Sequence, residues 1–501
     1  MIEIFKKITK NTFIYSIGQI APKLVGLILL PFFTDPSYLS AGDYGKLSML
    51  EATSMFLISM FGFGLNYALE RWYWDKEYIN KRKSIIFTLI VATIFITGVV
   101  WGFLSFFSNN ISMLLTGRED WVSLIKLLFI CSAIESLILI PSTLLRLQEK
   151  PLFFVSANII RFFLYLILTF VFLISMKRGL EGIYEARLLS LAGVMLVLAI
   201  PLFKNISFHF EWKALKDMIY FRLPLVLSTL SYVIFNITDR FSLRFLSTGN
   251  FQDVGVYSLG FTLTNSVKVV VISAIWLSVR PMIYSKMHEE GNRRFYSKLM
   301  KYMIFVITSL LLSISLFGQE IISLLTRNSL FGTSYFIVPI ISLAIIFDTL
   351  KDISQSIGLI ITKKTGTIAI TMVIATILNI LLNIVLIPFL NIYGAALSTV
   401  ISQFFFFVVI YRYSQKQYPI KYEIRRIAVM IMVFVFLAGL SLMTSSLNLM
   451  FRLPIKLILI ASFPVILLFM NYYEDIETTR LRQLWGKLKS PSEWMNLISK
   501  K

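Results

Sequence analysis

Apolar runs of about twenty residues recur from Phe13 to Met470, each long enough to cross a hydrocarbon core of roughly 30 Å. Inside such a core no water satisfies the backbone, so each run has to close its own hydrogen bonds as a helix. Composition agrees: 57% of the residues are hydrophobic and 15% charged, against roughly a quarter charged in soluble domains. The chain is therefore expected to be an all-α polytopic membrane protein.

Cutting at charged and turn-rich breaks places spans near 12–33, 44–69, 83–107, 121–146, 152–174, 182–203 and 218–245. A second set falls near 255–280, 299–317, 335–361, 367–387, 392–413, 427–444 and 451–470, giving about 14 transmembrane helices. The first run follows Lys6, Lys7 and Lys10 but continues through Pro22 and Lys23 without a small-residue cleavage site, so it reads as a retained helix.

A net charge of +21 would suggest nucleic acid in a soluble protein, but here the cations sit in short loops between spans and argue topology instead. With a cytoplasmic N-terminus, roughly thirty cations fall inside, among them Arg71, Lys81, Lys204, Lys213, Arg293, Lys363 and Arg426, against about five outside. Both termini are expected in the cytoplasm. Cys131 is the single cysteine, so a disulfide framework is excluded, and His209 and His288 have no partners at metal-ligand spacing.

An internal repeat appears at an offset of about 210 residues. Asp43, Tyr44 and Gly45 open the second span as Asp253, Val254 and Gly255 open the eighth. Lys150 precedes the fifth as Lys363 and Lys364 precede the eleventh, and Ile183, Tyr184 and Ala186 match Ile392, Tyr393 and Ala395. The expected organisation is two pseudo-symmetric six-helix lobes, 1–210 and 211–415, followed by a helix pair and basic tail, 416–501. Pro22 and Pro224 fall inside spans, where a missing donor permits a bend.

Ionisable residues at bilayer depth cost on the order of 3 kcal/mol and normally face a wet cavity or a partner, so they mark the candidate site. Gln19 and Lys23 share a stripe of the first span with Tyr15, and Arg161 one of the fifth with Asn158 and Tyr165. The seventh span carries Ser228, Tyr232, Asn236, Arg240 and Arg244 at steps of four, with Asp239 beside them. Lys268 is near the middle of the eighth, one turn from Asn265. Asp348, Lys351, Asp352 and Gln355 share a face of the tenth, and Asn379 and Asn383 one of the eleventh. Glu51 and Glu135 lie in the second and fourth spans.

The competing reading of these charges is structural, with Lys351 paired to a carboxylate and Arg161 to Glu135. Arg71, Arg146 and Arg222 lie near the membrane surface, where long cations snorkel. Lys23, Arg161, Arg240, Arg244, Lys268 and Lys351 set against Glu51, Glu135, Asp239, Asp348 and Asp352 leave a mixed chamber that leans cationic. Phosphate or diphosphate suits such a chamber, arginine binding it by forked hydrogen bonds. The carboxylates are placed to hold the lysines or to bind a coupling proton or sodium ion, with no other cofactor implied.

The Tyr38–Tyr44 stretch with Gly45, the Gly64–Trp72 segment ending in Arg71-Trp72, Pro224, Thr238-Asp239-Arg240-Phe241 and Val254-Gly255-Val256-Tyr257-Ser258 resemble the motifs of Wzx-type polysaccharide flippases. That family belongs to the multidrug/oligosaccharidyl-lipid/polysaccharide (MOP) exporter superfamily. The resemblance implies two six-helix lobes in a V, alternating access, and a bacterial cytoplasmic (inner) membrane location. It also implies an undecaprenyl-diphosphate-linked repeat unit for O-antigen, capsule or exopolysaccharide as cargo, with glycosyltransferases and a polysaccharide polymerase as pathway partners. Lys23 and Lys268 occupy places similar to cations of the related murein-precursor flippase, as lysines rather than arginines.

Three rivals stand beside a flippase. A multidrug exporter for cationic drugs calls for an acidic cavity. A membrane glycosyltransferase or polymerase calls for a sizeable outer loop with catalytic residues, whereas the longest here, around Phe317–Tyr335, offers Glu320 and Arg327. A passive scramblase would tolerate loss of Glu135, Asp348 and Asp352.

Overall fold

The computed structural model describes residues 25–479 apart from 120, 288 and 476, and every regular element among them is a helix. The end of the first span is α1, Leu30–Phe33. Next come α2, Ala41–Gly62, continued after a break by Leu65–Trp72; α3, Arg82–Phe106; α4, Val122–Leu147; α5, Pro151–Thr169; and α6, Gly179–Phe203. The second set is α7, Trp212–Leu246; α8, Phe251–Val267, running on through a wide π turn; α9, Asn292–Leu325; and α10, Ile337–Ser354. The segment Thr365–Gln417 is two helices, α11 (365–390) and α12 (392–417), joined at Asn391, whose φ is 48°. Last are α13, Ile424–Met443, and α14, Leu449–Phe469.

Ten of the described helices are long and apolar enough to cross a membrane, or twelve when each of two bent pairs is taken as one span. The merged α11–α12 segment is one of the ten. The expected all-helical, multi-pass fold is what the chain adopts.

The repeat reaches down to the turns. Glu149 (φ 51°) and Lys363 (φ 59°) take the left-handed conformation before α5 and α11, and Lys177 (φ 52°) and Asn391 (φ 48°) take it before α6 and α12. Both pairs keep the offset of roughly 210 residues seen in the sequence. Asp43 and Asp253 also act alike: Asp43 accepts the Ser40 backbone N–H in a capping box that starts α2, and Asp253 accepts the Gly249 N–H (2.9 Å) at the start of α8.

The chain divides into two compact units. The larger holds 25–287 and 320–419, and within it α2 and α8 cross at their N-terminal ends. A Cβ added at Gly45 would lie 1.9 Å from the Phe251 carbonyl oxygen, and one at Gly255 would lie 2.4 Å from that of Ala41. At the two glycines of the repeat α2 and α8 thus touch backbone to backbone, so the halves expected as separate lobes fall within one compact unit. Two turns deeper, Ala52 of α2 packs on Val233 and Ile237 of α7. At the other end of α7, Ala214, Leu215 and Met218 join a cluster with Leu65, Leu69 and Trp72.

Two helices in this unit bend by 47°: α2 at Phe63–Gly64, and α7 at residue 224, where the sequence places a proline.

The smaller unit holds 289–319 and 420–479, so the final helix pair packs with the first part of α9. Lys298 pairs with Glu423 and Glu474, Arg426 with the same two carboxylates, and the fully buried Lys301 with Glu477 at 2.9 Å. At the helix ends, burial opposes ionisation of Glu423, yet Lys298 and Arg426 outweigh it and hold its pKa below the usual 4.5. Glu477 is lowered likewise by Tyr302 and Lys301. A depressed carboxylate stabilises the folded state above its unfolded pKa and loses that contribution as pH falls through the folded value. Purified protein is therefore expected to hold its melting temperature from pH 7 to 5 and to lose it below about pH 4.5, and Glu423→Gln with Glu477→Gln should flatten that acid limb.

Candidate functional site

The C-lobe site rests on two departures from α-helical pitch. The helix that begins as α8 widens into a π turn at Lys268–Ile272, and α10 does so at Gln355–Ile360. Wide turns of this kind re-aim side chains and recur at functional sites. Here they flank a cluster of two lysines and two carboxylates. Lys268 Nζ lies 2.5 Å from Asp348 Oδ2, and Lys351 Nζ lies 2.7 Å from Asp348 Oδ1 and 3.0 Å from Asp352. Asp348 is 3% exposed, whereas the Lys268 side chain keeps 28% of its surface open.

Lys268 and Asp348 line a cavity of about 30 Å³ together with Asn236, Asp239, Asn265 and Gln403. The space suits a water or a small ion, not a sugar ring. Asp239 is buried, and no ion pair among the described residues includes it. Its Oδ2 accepts from the Tyr257 hydroxyl (2.5 Å) and the Thr399 hydroxyl (2.6 Å), and its Oδ1 from the Asn383 amide (2.9 Å). The Asn383 Oδ1 and Gln403 Oε1 atoms are buried without a hydrogen bond. A carboxylate solvated by neutral donors beside unpartnered amide oxygens is the donor set a hard monovalent cation takes. It equally suits a carboxylic acid that gains and loses a proton.

The N-lobe holds a second cluster. Glu135 of α4 accepts from Arg161 of α5 (2.7 Å) and from Arg187 of α6 (2.8 Å), and Arg187 also donates to Ser54 of α2 (3.2 Å). All three charged side chains are about one-fifth exposed. One carboxylate between two guanidiniums leaves forked N–H donors over. Glu51, one turn before Ser54, is exposed and makes no hydrogen bond or ion pair among the described residues.

The structure thus brings Asn236, Asp239, Lys268, Asp348, Lys351 and Asp352 together in one lobe, and Glu135 and Arg161 in the other. Arg240 lies over the Phe261 ring and donates to the Asn236 carbonyl (3.0 Å). Arg244 does not join either cluster: it donates to Asn250 (2.7 Å) and stacks on Phe251 at the helix ends. Gln19 and Lys23 lie outside the described residues, as do Tyr15 and Pro22. The pairings of Arg161 with Glu135 and of Lys351 with a carboxylate are those the structural reading named, so charges that read as a cationic surplus are largely neutralised in place.

Sequence reasoning passed over Arg187. Its signal was a charge inside an apolar run, eight residues after α6 begins at Gly179 and so about 12 Å along the helix. Thr399 and Tyr257 were equally unmarked as partners of Asp239, because hydroxyls are common in spans.

A family model described as "Polysaccharide biosynthesis protein" matches residues 8–288. No curated protein matches the chain. Among solved structures, the lipid II flippase MurJ in an inward closed conformation aligns with 92% of this chain and 99% of its own at 16% identity and a TM-score of 0.69. A multidrug resistance MATE family transporter of the MOP superfamily in an inward-facing conformation aligns over 81% and 94% at 15% identity and a TM-score of 0.62. An outward-facing structure of such a transporter gives 82%, 95%, 16% and 0.56. At these identities the likeness is one of fold.

Proposed function

The chain belongs to the polysaccharide biosynthesis protein family, and from that premise we propose that it flips a polyprenyl-diphosphate-linked oligosaccharide across the bacterial cytoplasmic membrane by alternating access. The observation that carries this reading is the pairing of two charged clusters at span depth, one in each lobe, each with a partly open cation: Arg161 and Arg187 in one, Lys268 in the other. Ion pairs that are partly open are exchangeable. A diphosphate entering between the lobes takes over guanidinium and ammonium donors from Glu135 and Asp348, while the lipid tail stays in the bilayer. Lys23, on the first span, is placed by resemblance to assist.

The contact of Gly45 with Gly255 closes one end of the lobes, and the distribution of loop cations makes that end the outer one. The protein then waits for cargo with its opposite end facing the cytoplasm. Asp239 supplies the coupling: a proton or sodium ion taken from outside neutralises it and resets the lobes. A multidrug antiporter fits less well, because Glu135, Asp348 and Asp352 are already held by cations rather than offered to a cationic drug. The same pathway supplies the glycosyltransferases that build the cargo and the polymerase that consumes it.

Alanine at Lys23, Arg161, Arg187 and Lys268, one at a time in a strain that depends on this protein, tests the assignment. Surface polymer at equal protein level is expected to fall about 10- to 100-fold for Arg161, Arg187 and Lys268, the worth of one charge-assisted hydrogen bond. Unchanged polymer in all of them removes the assignment. Asp239→Asn is expected to leave cargo binding intact and to abolish the response of transport to an imposed sodium or proton gradient.

A further inference from the structure

Arg222 is 4% exposed and has no carboxylate partner among the described residues. Its Nε donates to the Phe63 carbonyl across 3.5 Å, its guanidinium lies 5.1 Å from the centre of the Tyr67 ring, and its Nη2 is buried with no hydrogen bond. It does not snorkel. It sits two residues before the bend in α7 and against the break in α2, where Phe63 (φ 46°) and Gly64 (φ 64°) both take the left-handed conformation. A Cβ added at Gly64 would lie 1.8 Å from Nη2. Around it, Trp72 of the α2 continuation meets Phe221 of α7 edge-on, and Arg71 lies over the same Phe221 ring.

We propose that Arg222 and the Phe63–Gly64 break form one coupled hinge, in which the guanidinium holds both helices bent and makes their straightening a single event. The break ends a helix, leaving carbonyl oxygens unsatisfied and the negative end of the helix dipole exposed, and a cation docks there. The docking is incomplete, since one nitrogen has no acceptor, and a buried donor left unmade costs free energy. A contact that is held but under-satisfied is suited to release. If α7 straightens at residue 224, Arg222 withdraws, the end of α2 loses its cap, and the two segments of α2 are free to realign. A packed element with two arrangements converts a small motion into a switch. The inference rests on the alternating-access reading and names the device that couples α2 to α7 within it.

The full chain in nanodiscs, with spin labels at Met55 and Trp74 across the α2 break or at Lys216 and Tyr232 across the α7 bend, tests this by distance measurement. In the otherwise unaltered chain both distance distributions are expected to shift together when polyprenyl diphosphate is added. Arg222→Ala should uncouple them, one pair shifting without the other, and Arg222→Lys should retain part of the coupling. Gly64→Ala should cut polymer output about tenfold through left-handed strain and by pushing the guanidinium off the break, and the double variant Gly64→Ala, Arg222→Ala should fall no further than the more severe of the two single variants. Distributions that still move together in Arg222→Ala, or normal output from Gly64→Ala, overturn the hinge while leaving transport standing. Distributions in the unaltered chain that ignore polyprenyl diphosphate, with polymer output independent of the protein, overturn the transport reading itself.

Discussion

Asp348→Ala is expected to abolish transport and to lower the stability of the protein by about 3–5 kcal/mol, the cost of leaving a buried cation without its partner. Among the described residues Asp348 is the one group that binds both Lys268 and Lys351; with it gone, Lys351 keeps Asp352 at 3.0 Å but Lys268 keeps no carboxylate among them. The loss should appear as a drop in melting temperature in detergent and as less protein in the membrane. Adding Lys268→Met to Asp348→Ala removes the stranded charge, so melting temperature should return most of the way. Transport should not return, because the cation proposed to bind cargo went with it. Equal melting temperatures for Asp348→Ala and the parent would show that the cluster is not a buried ion network at all.

The second large effect is expected at Gly45. Valine there drives its side chain into the Phe251 carbonyl, since even a Cβ falls 1.9 Å from that oxygen; the Cβ is fixed by its own backbone and the oxygen is backbone, so neither has a rotamer to yield. The helices must separate, which forces the outer ends of the lobes apart. Polymer output should fall below about a tenth of normal, and cysteines placed on the inner faces near Ala52 should become reactive to a membrane-impermeant thiol reagent added outside. Gly255→Val should give the same phenotype by the repeat's symmetry. Normal output from either would mean that the lobes part elsewhere.

Much of this architecture was legible in the sequence, for physical reasons that differ from element to element. Spans were legible because lipid enforces length and apolarity together. The duplication was legible at Asp43-Tyr44-Gly45 and Asp253-Val254-Gly255 because an acidic cap and a close backbone approach each admit few residue types. The bend at residue 224 followed from a proline. Partner choice was harder, because it is decided by which helices are neighbours. Arg161 and Glu135 read as a candidate pair from their depth in the spans, whereas Arg187 falls only five residues into an apolar run beginning near 182, and it is the helix's start at Gly179 that sets it deeper. Arg244 continued the four-residue stripe of the seventh span, yet it lies near the end of α7 and turns to Asn250 instead. Arg222 read as a surface cation, and only the fold shows it entombed beside Gly64. Nothing in the residues announced the π turns, for the extra residue in a wide turn leaves composition and hydropathy unchanged.

Those wide turns have a consequence for how such a chain can diverge. A surplus residue in 268–272 or 355–360 is one that a single-codon deletion can remove without breaking the rod, restoring ordinary pitch. The wide turn keeps its surplus to itself, so the rod beyond it holds its facing and only the side chains within the turn change bearing. Below Lys268, Trp276 and Arg280, now 5.2 Å apart, would stay where they are, while Lys268 itself would be re-aimed relative to Asp348. A single-codon loss at either wide turn is thus a route by which lineages can re-point one charge without disturbing the packing on either side of it.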